Sequence, residues 1–375
     1  MKRIKFIDFR REYNFLKDKI HPVIDKIIAR GNFILGEEVQ KFESAFSHFC
    51  NTRYAVGVNS GTDALFLALR ASGIEKGDEV IVPAFTYAAT VLAVVYTGAK
   101  PVFCDVDLET YSLSPQEVIT KITPRTKAII PVHLYGHPAP MPELLRIARD
   151  RKLTVIEDCA QAHGARWRNS NGKWQVVGSG GDLGCFSFYP TKNLGCYGDG
   201  GIVVTDNKKL YRSLLMLRDY GRKSKYQHTI IGYNSRLDTV QAGILGVKLK
   251  YLNSWNKRRR ELATIYDSYL KDIPEVVIPR EQKGYYHVYH LYPLRVKYKR
   301  DELYNYLNTR GIQCLIHYPI PCHLQPAFKY LGYKRGDLPN SEKLAREVLS
   351  LPLYPFITKD EIKYICLTVK RFFRH

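Results

Sequence analysis

The chain has 375 residues, of which 45% are hydrophobic and 25% charged, and its formal net charge is +21. The length predicts two domains, and the 27 Tyr and 16 Phe exclude an unfolded chain, because so many aromatic side chains require a packed core. The charge would suit nucleic acid, an acidic membrane or an anionic small substrate, but the basic runs at 257–260 and 297–300 are short and no nucleic-acid-binding motif accompanies them, so we expect no nucleic-acid partner.

The N-terminus, MKRIKFIDFRREYNF, is charged throughout and lacks the apolar segment of a signal peptide. No apolar run reaches the ~18 residues that a membrane span needs. The eight cysteines form no CxxC pair and show no metal-ligand spacing. We therefore expect a cytoplasmic protein with reduced thiols, no membrane span and no bound metal.

Short β-type segments alternate with helical segments from about residue 54 to 205, which predicts an α/β fold with a mainly parallel sheet covered by helices. A helix predicted over 60–73 can be capped by Ser60, with Asp63 at the capping-box position, and further helices are predicted over 89–98 and 142–152. After the strand-like YAVGV, the strand candidates are EVIVP (79–83), PVFCD (101–105), KAIIPV (127–132), TVIED (154–158), GCFSF (184–188) and GIVVT (201–205).

The second half of the chain has a different pattern. A long basic helix is predicted over about 238–272, followed by HVYHLYPLRV (287–296), a helix near 301–310 and a loop rich in Pro and His. This change predicts an N-terminal segment and large domain over 1–254, and a small C-terminal α+β domain over 255–375.

Ligands of parallel sheets bind at the carboxyl ends of the strands, and three reactive or aromatic side chains are predicted there. Asp158 ends TVIED and could hold a pyridine nitrogen protonated. Lys192 follows GCFSF and could form a Schiff base, and Tyr87 follows EVIVP and could cover a ring face.

A phosphate site is predicted at the same edge of the sheet. The amides of Gly61 and Thr62 open a helix, where free N–H groups and the helix dipole favour an anion, and Ser187 could add a hydroxyl. Phosphate, pyridinium and aldehyde are the three groups by which a protein would hold pyridoxal 5′-phosphate (PLP). Each residue alone also fits a simpler role as a cap, turn, core or surface residue, so only their coincidence at one edge favours a cofactor site.

The sequence resembles the DegT/StrS family of PLP-dependent sugar aminotransferases, which have the fold type I architecture. The blocks that carry the resemblance are GVNSGTDAL (57–65), VPAFTYAAT (82–90), PVFCDVD (101–107), PVHLYGHPAPM (131–141), VIEDCAQAHGA (155–165), FSFYPTKNLGCYGDGG (186–201), GYNSRLDTVQAGIL (232–245) and IHYPIPCHLQPAF (316–328). A polar segment between Gly164 and Gly184 departs from the usual pattern and is predicted to form a hairpin that turns at Asn171-Gly172.

The resemblance implies a role for each matched residue. Lys192 would bind the cofactor covalently and then carry protons, and Gln161 would lie near the ring hydroxyl. Asn234 would reach the phosphate from the other subunit, which implies a homodimer with shared active sites. Tyr189 and Arg236 are similar to substrate-side residues, and His317 and Tyr318 to residues that line the sugar pocket across the dimer interface.

The activity that the resemblance implies is transfer of an amino group from L-glutamate to a nucleotide-linked keto sugar, for surface-polysaccharide or glycoconjugate biosynthesis. IHYPIPCHLQPAF is most similar to family members that aminate C3 of a dTDP-3-keto-6-deoxyhexose. A UDP-linked or 4-keto sugar is the alternative within this class, and a non-catalytic regulatory protein on the same fold is the alternative outside it. GSGGDLG (178–184) superficially resembles a dinucleotide loop, but it precedes a strand and has the wrong spacing for a dehydrogenase.

Overall fold

A computed structural model describes residues 3–374 of the chain. The helices in this part are α1 (Phe9–Arg30), α2 (Glu37–Cys50), α3 (Gly61–Ala71), α4 (Ala88–Tyr96), α5 (Pro115–Lys121), α6 (Met141–Arg151), α7 (Lys208–Leu217), α8 (Thr239–Leu249), α9 (Leu252–Leu270), α10 (Arg300–Thr309), α11 (Pro339–Glu347) and α12 (Lys359–Phe373). The strands are β1 (Tyr54–Val58), β2 (Glu79–Pro83), β3 (Lys100–Cys104), β4 (Thr126–Ile129), β5 (Thr154–Asp158), β6 (Arg166–Arg168), β7 (Trp174–Val176), β8 (Leu183–Ser187), β9 (Gly201–Thr205), β10 (Arg222–Ser224), β11 (Gln227–His228), β12 (Val276–Val277), β13 (Tyr285–Tyr286), β14 (Tyr292–Val296) and β15 (Val348–Leu351).

Seven strands form the central sheet in the order β1-β9-β8-β5-β4-β2-β3. Neighbouring strands are parallel except at β9, which runs antiparallel to both β1 and β8. The predicted α/β class and mainly parallel sheet are therefore confirmed. β5 and β8 lie side by side with Asp158 opposite Cys185, so their carboxyl ends reach the same edge.

Alternate residues of the strands face two separate cores, as the two-residue period of a β-strand requires. On β5, Val155 belongs to a core that includes Phe42 and Phe46 of α2, whereas Ile156 belongs to a core that includes Leu67 of α3. Helices thus cover both faces of the sheet, and this explains why its strands are almost continuously apolar and buried.

The C-terminal part has its own antiparallel sheet, in the order β12-β14-β15, which packs with α9, α10 and α12 around a third core. The single helix predicted over 238–272 is wrong, because α8 ends at Leu249 and α9 begins at Leu252. The helices are separated by a tight turn at Lys250 and Tyr251, where the Tyr251 amide donates to the Lys248 carbonyl three residues earlier. Leu245 of α8 and Leu252 of α9 both join the α2 core, and Tyr266 further along α9 joins the third. The domain boundary predicted after residue 254 falls in the first turn of α9 and stays a prediction.

The Ser60 cap and the hairpin are confirmed, but the capping box expected from Asp63 is not formed. The Ser60 hydroxyl caps α3 by accepting the Asp63 amide at 3.0 Å, whereas the Asp63 carboxylate accepts from Ser235 at 2.7 Å. The hairpin around Asn171-Gly172 is formed by β6 and β7, and β13 adds a third strand to it. Between residues 3 and 374, no helix is long and apolar enough to cross a membrane.

An ion pair between Arg11 and Glu361 joins α1 to α12. Arg11 donates to both Glu361 oxygens, at 2.8 and 2.5 Å, and Glu361 also completes the capping box of α12 with Thr358. The hydrogen bond from Arg11 is the main reason why the pKa of Glu361 falls from 4.5 to about 2. A carboxylate with a depressed pKa stabilises the fold above its unfolded pKa and loses that contribution as the pH falls through its folded pKa.

We therefore expect Glu361→Gln to lower the free energy of unfolding by about 1–2 kcal/mol at pH 7, the size of a partly screened charged hydrogen bond. Denaturant unfolding should show that this difference disappears between pH 4.5 and 2. Glu261→Gln is the matched control, since its pair with Arg258 is exposed and should contribute under about 0.5 kcal/mol. An equal loss in both variants would contradict the interpretation.

Candidate active site

Asp158 lies buried at the carboxyl end of β5, and its side chain is held by two donors. Oδ2 accepts from the Thr90 hydroxyl at 2.8 Å, and Oδ1 accepts from the Ala160 amide at 3.1 Å. Burial raises the pKa of Asp158, while the Ala160 and Thr90 hydrogen bonds and the charge of Lys192 act to lower it. The strand end is fixed by backbone bonds to Pro131 and His133 on the neighbouring segment. The carboxylate is therefore a rigid acceptor at the ligand-binding edge.

Lys192 lies on the loop that follows β8, and its amine has a lowered pKa. Desolvation lowers the pKa of Lys192 to about 8, although the Asp158 carboxylate acts to raise it. Among residues 3–374, the Lys192 side chain has no hydrogen-bond or ion-pair partner. An amine with a lowered pKa and no partner is suited to act as a nucleophile and as a proton carrier.

The loop that carries Lys192 is fixed from beneath by polar side chains. The Asn193 amide nitrogen donates to Asn256 at 2.9 Å and to the Val288 carbonyl at 3.2 Å, and its oxygen lies 3.1 Å from His290 Nδ1. Further along the loop, the buried Lys248 ammonium donates to the Gly195 carbonyl at 2.7 Å. These contacts, which join positions far apart in sequence, prevent the loop from moving the reactive amine.

The predicted phosphate site is formed where α3 begins against the end of β8. A Cβ atom on Gly61 would lie 2.5 Å from Cβ of Ser187, so only glycine permits this approach. The first intrahelical bond of α3 is made by Ala64 to Ser60, which leaves the amides of Gly61 and Thr62 ahead of the helical ladder. The structure thus places the start of α3 against Ser187, as the phosphate hypothesis requires.

Tyr318 connects two of the predicted cofactor-binding residues, Gln161 and Tyr87. The Tyr135 amide donates to Gln161 Oε1 at 2.8 Å, and Gln161 Nε2 donates to the Tyr318 hydroxyl at 2.9 Å. Tyr87 is 61% exposed, and its ring centroid lies 5.8 Å from that of Tyr318. His317 is fixed by Ser350, whose hydroxyl lies 3.0 Å from its Nδ1.

One expectation about these residues is wrong. We expected His317 and Tyr318 to come from across a dimer interface, but Tyr318 contacts Gln161 of its own chain. Desolvation, together with the charge of Lys192 in the same chain, lowers the pKa of His317 to about 4. The physical reason is that the loop after α10 returns to the apolar cluster that includes Phe85 and Leu134, and Tyr318 packs against this cluster.

The remaining predicted residues lie at the edge of the site. Tyr189 is 53% exposed and precedes Lys192 on the same loop. The Arg236 guanidinium donates to Asp219 at 3.0 Å, and the backbone of the exposed Asn234 also pairs with Asp219. These contacts hold Asn234 and Arg236 on a separate segment, and their roles stay predictions.

A buried carboxylate next to Asp158 was missed from the sequence. Glu157 accepts amide hydrogen bonds from Gly178, Gly180 and Gly181 at 2.7–2.8 Å, and its Oε2 lies 2.9 Å from His133 Nε2. The segment that superficially resembled a dinucleotide loop therefore binds a side chain of the same protein. The signal was present in the acidic pair that ends TVIED, since a second buried acid needs donors nearby.

These residues fit PLP. A crowded helix start that only glycine permits would offer donors to a phosphate, a buried carboxylate could hold a ring nitrogen protonated, and a lysine of lowered pKa is electrostatically coupled to that carboxylate. When bound, PLP supplies an electron sink and an aldehyde carbon that accepts amines. The fold and the site together define a PLP-dependent aminotransferase of fold type I.

The comparisons with known proteins agree with this class. The chain belongs to the DegT/DnrJ/EryC1/StrS aminotransferase family, whose model matches residues 15–370. It is 46% identical over 359 residues to the dTDP-3-amino-3,4,6-trideoxy-alpha-D-glucose transaminase of Streptomyces venezuelae, covering 96% of this chain and 93% of that protein. It is 44% identical over 374 residues to the "Pleiotropic regulatory protein" of Geobacillus stearothermophilus, covering 99% of each.

A solved structure is also similar over its whole length. The crystal structure of S. venezuelae DesV in complex with a ketimine intermediate superposes with a TM-score of 0.97, at 44% identity, and covers 100% of both chains. The architecture of this chain is therefore that of a sugar aminotransferase throughout.

The proximity of Lys192 and Asp158 can be tested on cofactor-free protein. Because the neutral amine is the reactive form, labelling of Lys192 by trinitrobenzenesulfonate should rise with a midpoint near pH 8. Asp158→Asn removes the charge that raises this pKa, so the midpoint should move to lower pH.

Peptide mass mapping after labelling measures both midpoints. Asp238→Asn is the control, since it removes an exposed carboxylate that makes no cap hydrogen bond and should leave the midpoint in place. A midpoint that does not respond to Asp158→Asn would show that the two side chains are not electrostatically coupled.

Proposed function

We propose that this chain transfers the amino group of L-glutamate to C3 of a dTDP-linked 3-keto-6-deoxyhexose. The observation that carries the proposal is the Lys192 amine, whose pKa burial lowers to about 8, coupled to the buried Asp158 carboxylate. The sugar and the nucleotide are inferred from the S. venezuelae transaminase, with which the chain shares 46% of its residues over nearly its whole length.

The residues of this chain divide the work of the reaction between them. Asp158 would stabilise a protonated ring nitrogen, because a carboxylate that is fixed by Thr90 and Ala160 keeps its acceptor oxygens in place. Lys192 would release the cofactor carbon to the incoming amine and then move a proton at the substrate carbon. Tyr87 would cover one face of the ring and exclude water from it.

The homodimer, the glutamate donor and the cytoplasmic location form part of the same proposal. An exposed segment that includes Asn234, Tyr226 and Ile231 is available for contact with a second copy, and Tyr226 and Ile231 are more than 80% exposed. All eight cysteines are buried and free, which supports a reducing compartment.

The alternative of a regulatory protein is suggested by the name of the G. stearothermophilus relative. A protein that had lost its chemistry would have no need for a desolvated lysine beside a buried carboxylate. Both features are retained here, and they favour an enzyme.

The substrate can be tested with a panel of keto sugars. The purified protein, loaded with PLP, should consume L-glutamate fastest with the dTDP-3-keto sugar, and chromatography should detect the amino sugar product. A higher kcat/KM with a UDP-linked or 4-keto sugar would move the assignment to the alternative within the class.

Lys192→Ala is the control for this assay. It should lower turnover by at least about 10⁴-fold, since one side chain provides both the covalent and the proton-transfer step. Turnover by the wild type that persists in Lys192→Ala would come from a different site.

Sharing of active sites can be tested by mixing two inactive variants. Lys192→Ala removes the amine, and Asn234→Asp would place a carboxylate against the phosphate. If Asn234 serves the neighbouring chain, half of the dimers are mixed and each has one intact site, so about a quarter of wild-type activity should return.

Native mass spectrometry of the mixture verifies that mixed dimers have formed. Mixed dimers without recovered activity would mean that Asn234 serves the site of its own chain. His317 is left out of this design, because the structure places it beside the Lys192 of its own chain.

A further inference from the structure

Tyr135 joins three separate parts of the chain. Its amide donates to Gln161 Oε1 at 2.8 Å, its carbonyl accepts from the Leu291 amide at 3.3 Å, and its hydroxyl donates to the His317 carbonyl. Tyr135 is 1% exposed, so each of these bonds is made in the protein interior. Tyr135 therefore contacts Gln161 in the candidate site, Leu291 just before β14, and His317 in the segment that carries Tyr318.

The backbone of Tyr135 is in an unfavourable conformation. Its φ is 58°, in the left-handed region that side chains other than those of Gly, Asn and Asp rarely adopt. A strained residue persists only where its surroundings over-determine it, and here three hydrogen bonds do so. This is the conformation that presents the Tyr135 amide to Gln161 while the side chain extends toward His317.

The bond to the Tyr135 amide also determines which way the Gln161 side chain faces. An N–H group can be met only by the amide oxygen of Gln161, so its nitrogen must point the other way, toward the Tyr318 hydroxyl at 2.9 Å. Gln161 and Tyr318 are thus linked directly to each other and a second time through Tyr135 and His317. The two links form a closed ring of contacts.

We propose that Tyr135 is a positioning residue that holds the His317-Tyr318 segment against the cofactor side of the site and thereby determines how the acceptor sugar binds. Tyr318 lies beside the exposed Tyr87, and two residues later Ile320 is 44% exposed, so the segment lies at the open side of the site. A nucleotide-linked sugar is much larger than an amino acid and must extend past the ring to this side. The amino donor is smaller and needs only the immediate neighbourhood of Lys192.

This inference rests on the proposed function for the identity of the acceptor, but its structural part can be tested without it. Tyr135→Phe removes only the hydroxyl that binds the His317 carbonyl and keeps the ring and the backbone bonds. Tyr266→Phe is the matched control: Tyr266 is fully buried, and its hydroxyl also donates to a backbone carbonyl, that of Pro352, at 2.8 Å in the C-terminal core.

The first measurement is amide hydrogen exchange of a peptide covering residues 312–324. Exchange in this peptide should be several-fold faster in Tyr135→Phe than in the wild type, because one anchor of the segment is lost, and unchanged in Tyr266→Phe. Thermal unfolding of both variants verifies that each is folded. Unchanged exchange in Tyr135→Phe overturns the proposal, whether or not the protein accepts keto sugars.

The second measurement separates the two halves of the reaction. In Tyr135→Phe the KM for the keto sugar should rise about tenfold, the factor that one buried hydrogen bond represents, while the KM for glutamate stays within about twofold. The absorbance of the bound cofactor should titrate with the same midpoint in both proteins, because Asp158 and Lys192 are not touched.

An equal rise in both KM values would mean that Tyr135 supports the whole site and would overturn the specific role. If the wild type binds PLP but aminates no keto sugar, the proposed function fails. The exchange of residues 312–324 then still decides whether Tyr135 holds the segment.

Discussion

The carboxyl edge of β5 and β8 places a buried negative charge next to a desolvated amine, and the rest of the site depends on this pairing. Asp158 is buried far enough to raise its pKa, and Lys192 far enough to lower its pKa to about 8. Each charge moderates the effect of burial on the other, so neither group has to become fully neutral. A reactive amine and a rigid acceptor can then exist in one small volume.

Holding this pair together requires support from distant parts of the chain. The loop of Lys192 is fixed by Asn256 and His290, which come from the region after α8, and by Lys248. Beside Asp158, the Glu157 carboxylate is surrounded by glycine amides and His133, so a second buried charge is fully satisfied. The polar interior is therefore a scaffold in which few side chains can move independently.

The same scaffold links the cofactor side of the site to the C-terminal part. Tyr135 and the Gln161-Tyr318 pair cross from the central sheet to the loop after α10, and the apolar cluster around Phe85 and Leu291 packs beneath them. The reactive groups lie at the carboxyl edge of the central sheet, Asp158 at the end of β5 and Lys192 on the loop after β8, whereas the groups that could distinguish acceptors lie on loops that return to it from the C-terminal part. This separation lets the loops vary without disturbing the chemistry.

The sequence by itself determined the local elements and the reactive groups. The alternation of strands and helices, the Ser60 cap and the placement of Asp158 and Lys192 after strands follow from periodicity, capping and the topology of parallel sheets. Only the tertiary structure decided where α8 gives way to α9, how Glu157 is satisfied and that Tyr318 contacts Gln161 of its own chain. The physical reason is the separation along the chain of the residues that interact. A helix cap or a hydrophobic periodicity involves only a few neighbouring residues. The pKa of Lys192, the glycine amides around Glu157 and the reach of Tyr135 to His317 depend on contacts between residues far apart in the chain, which no local pattern encodes.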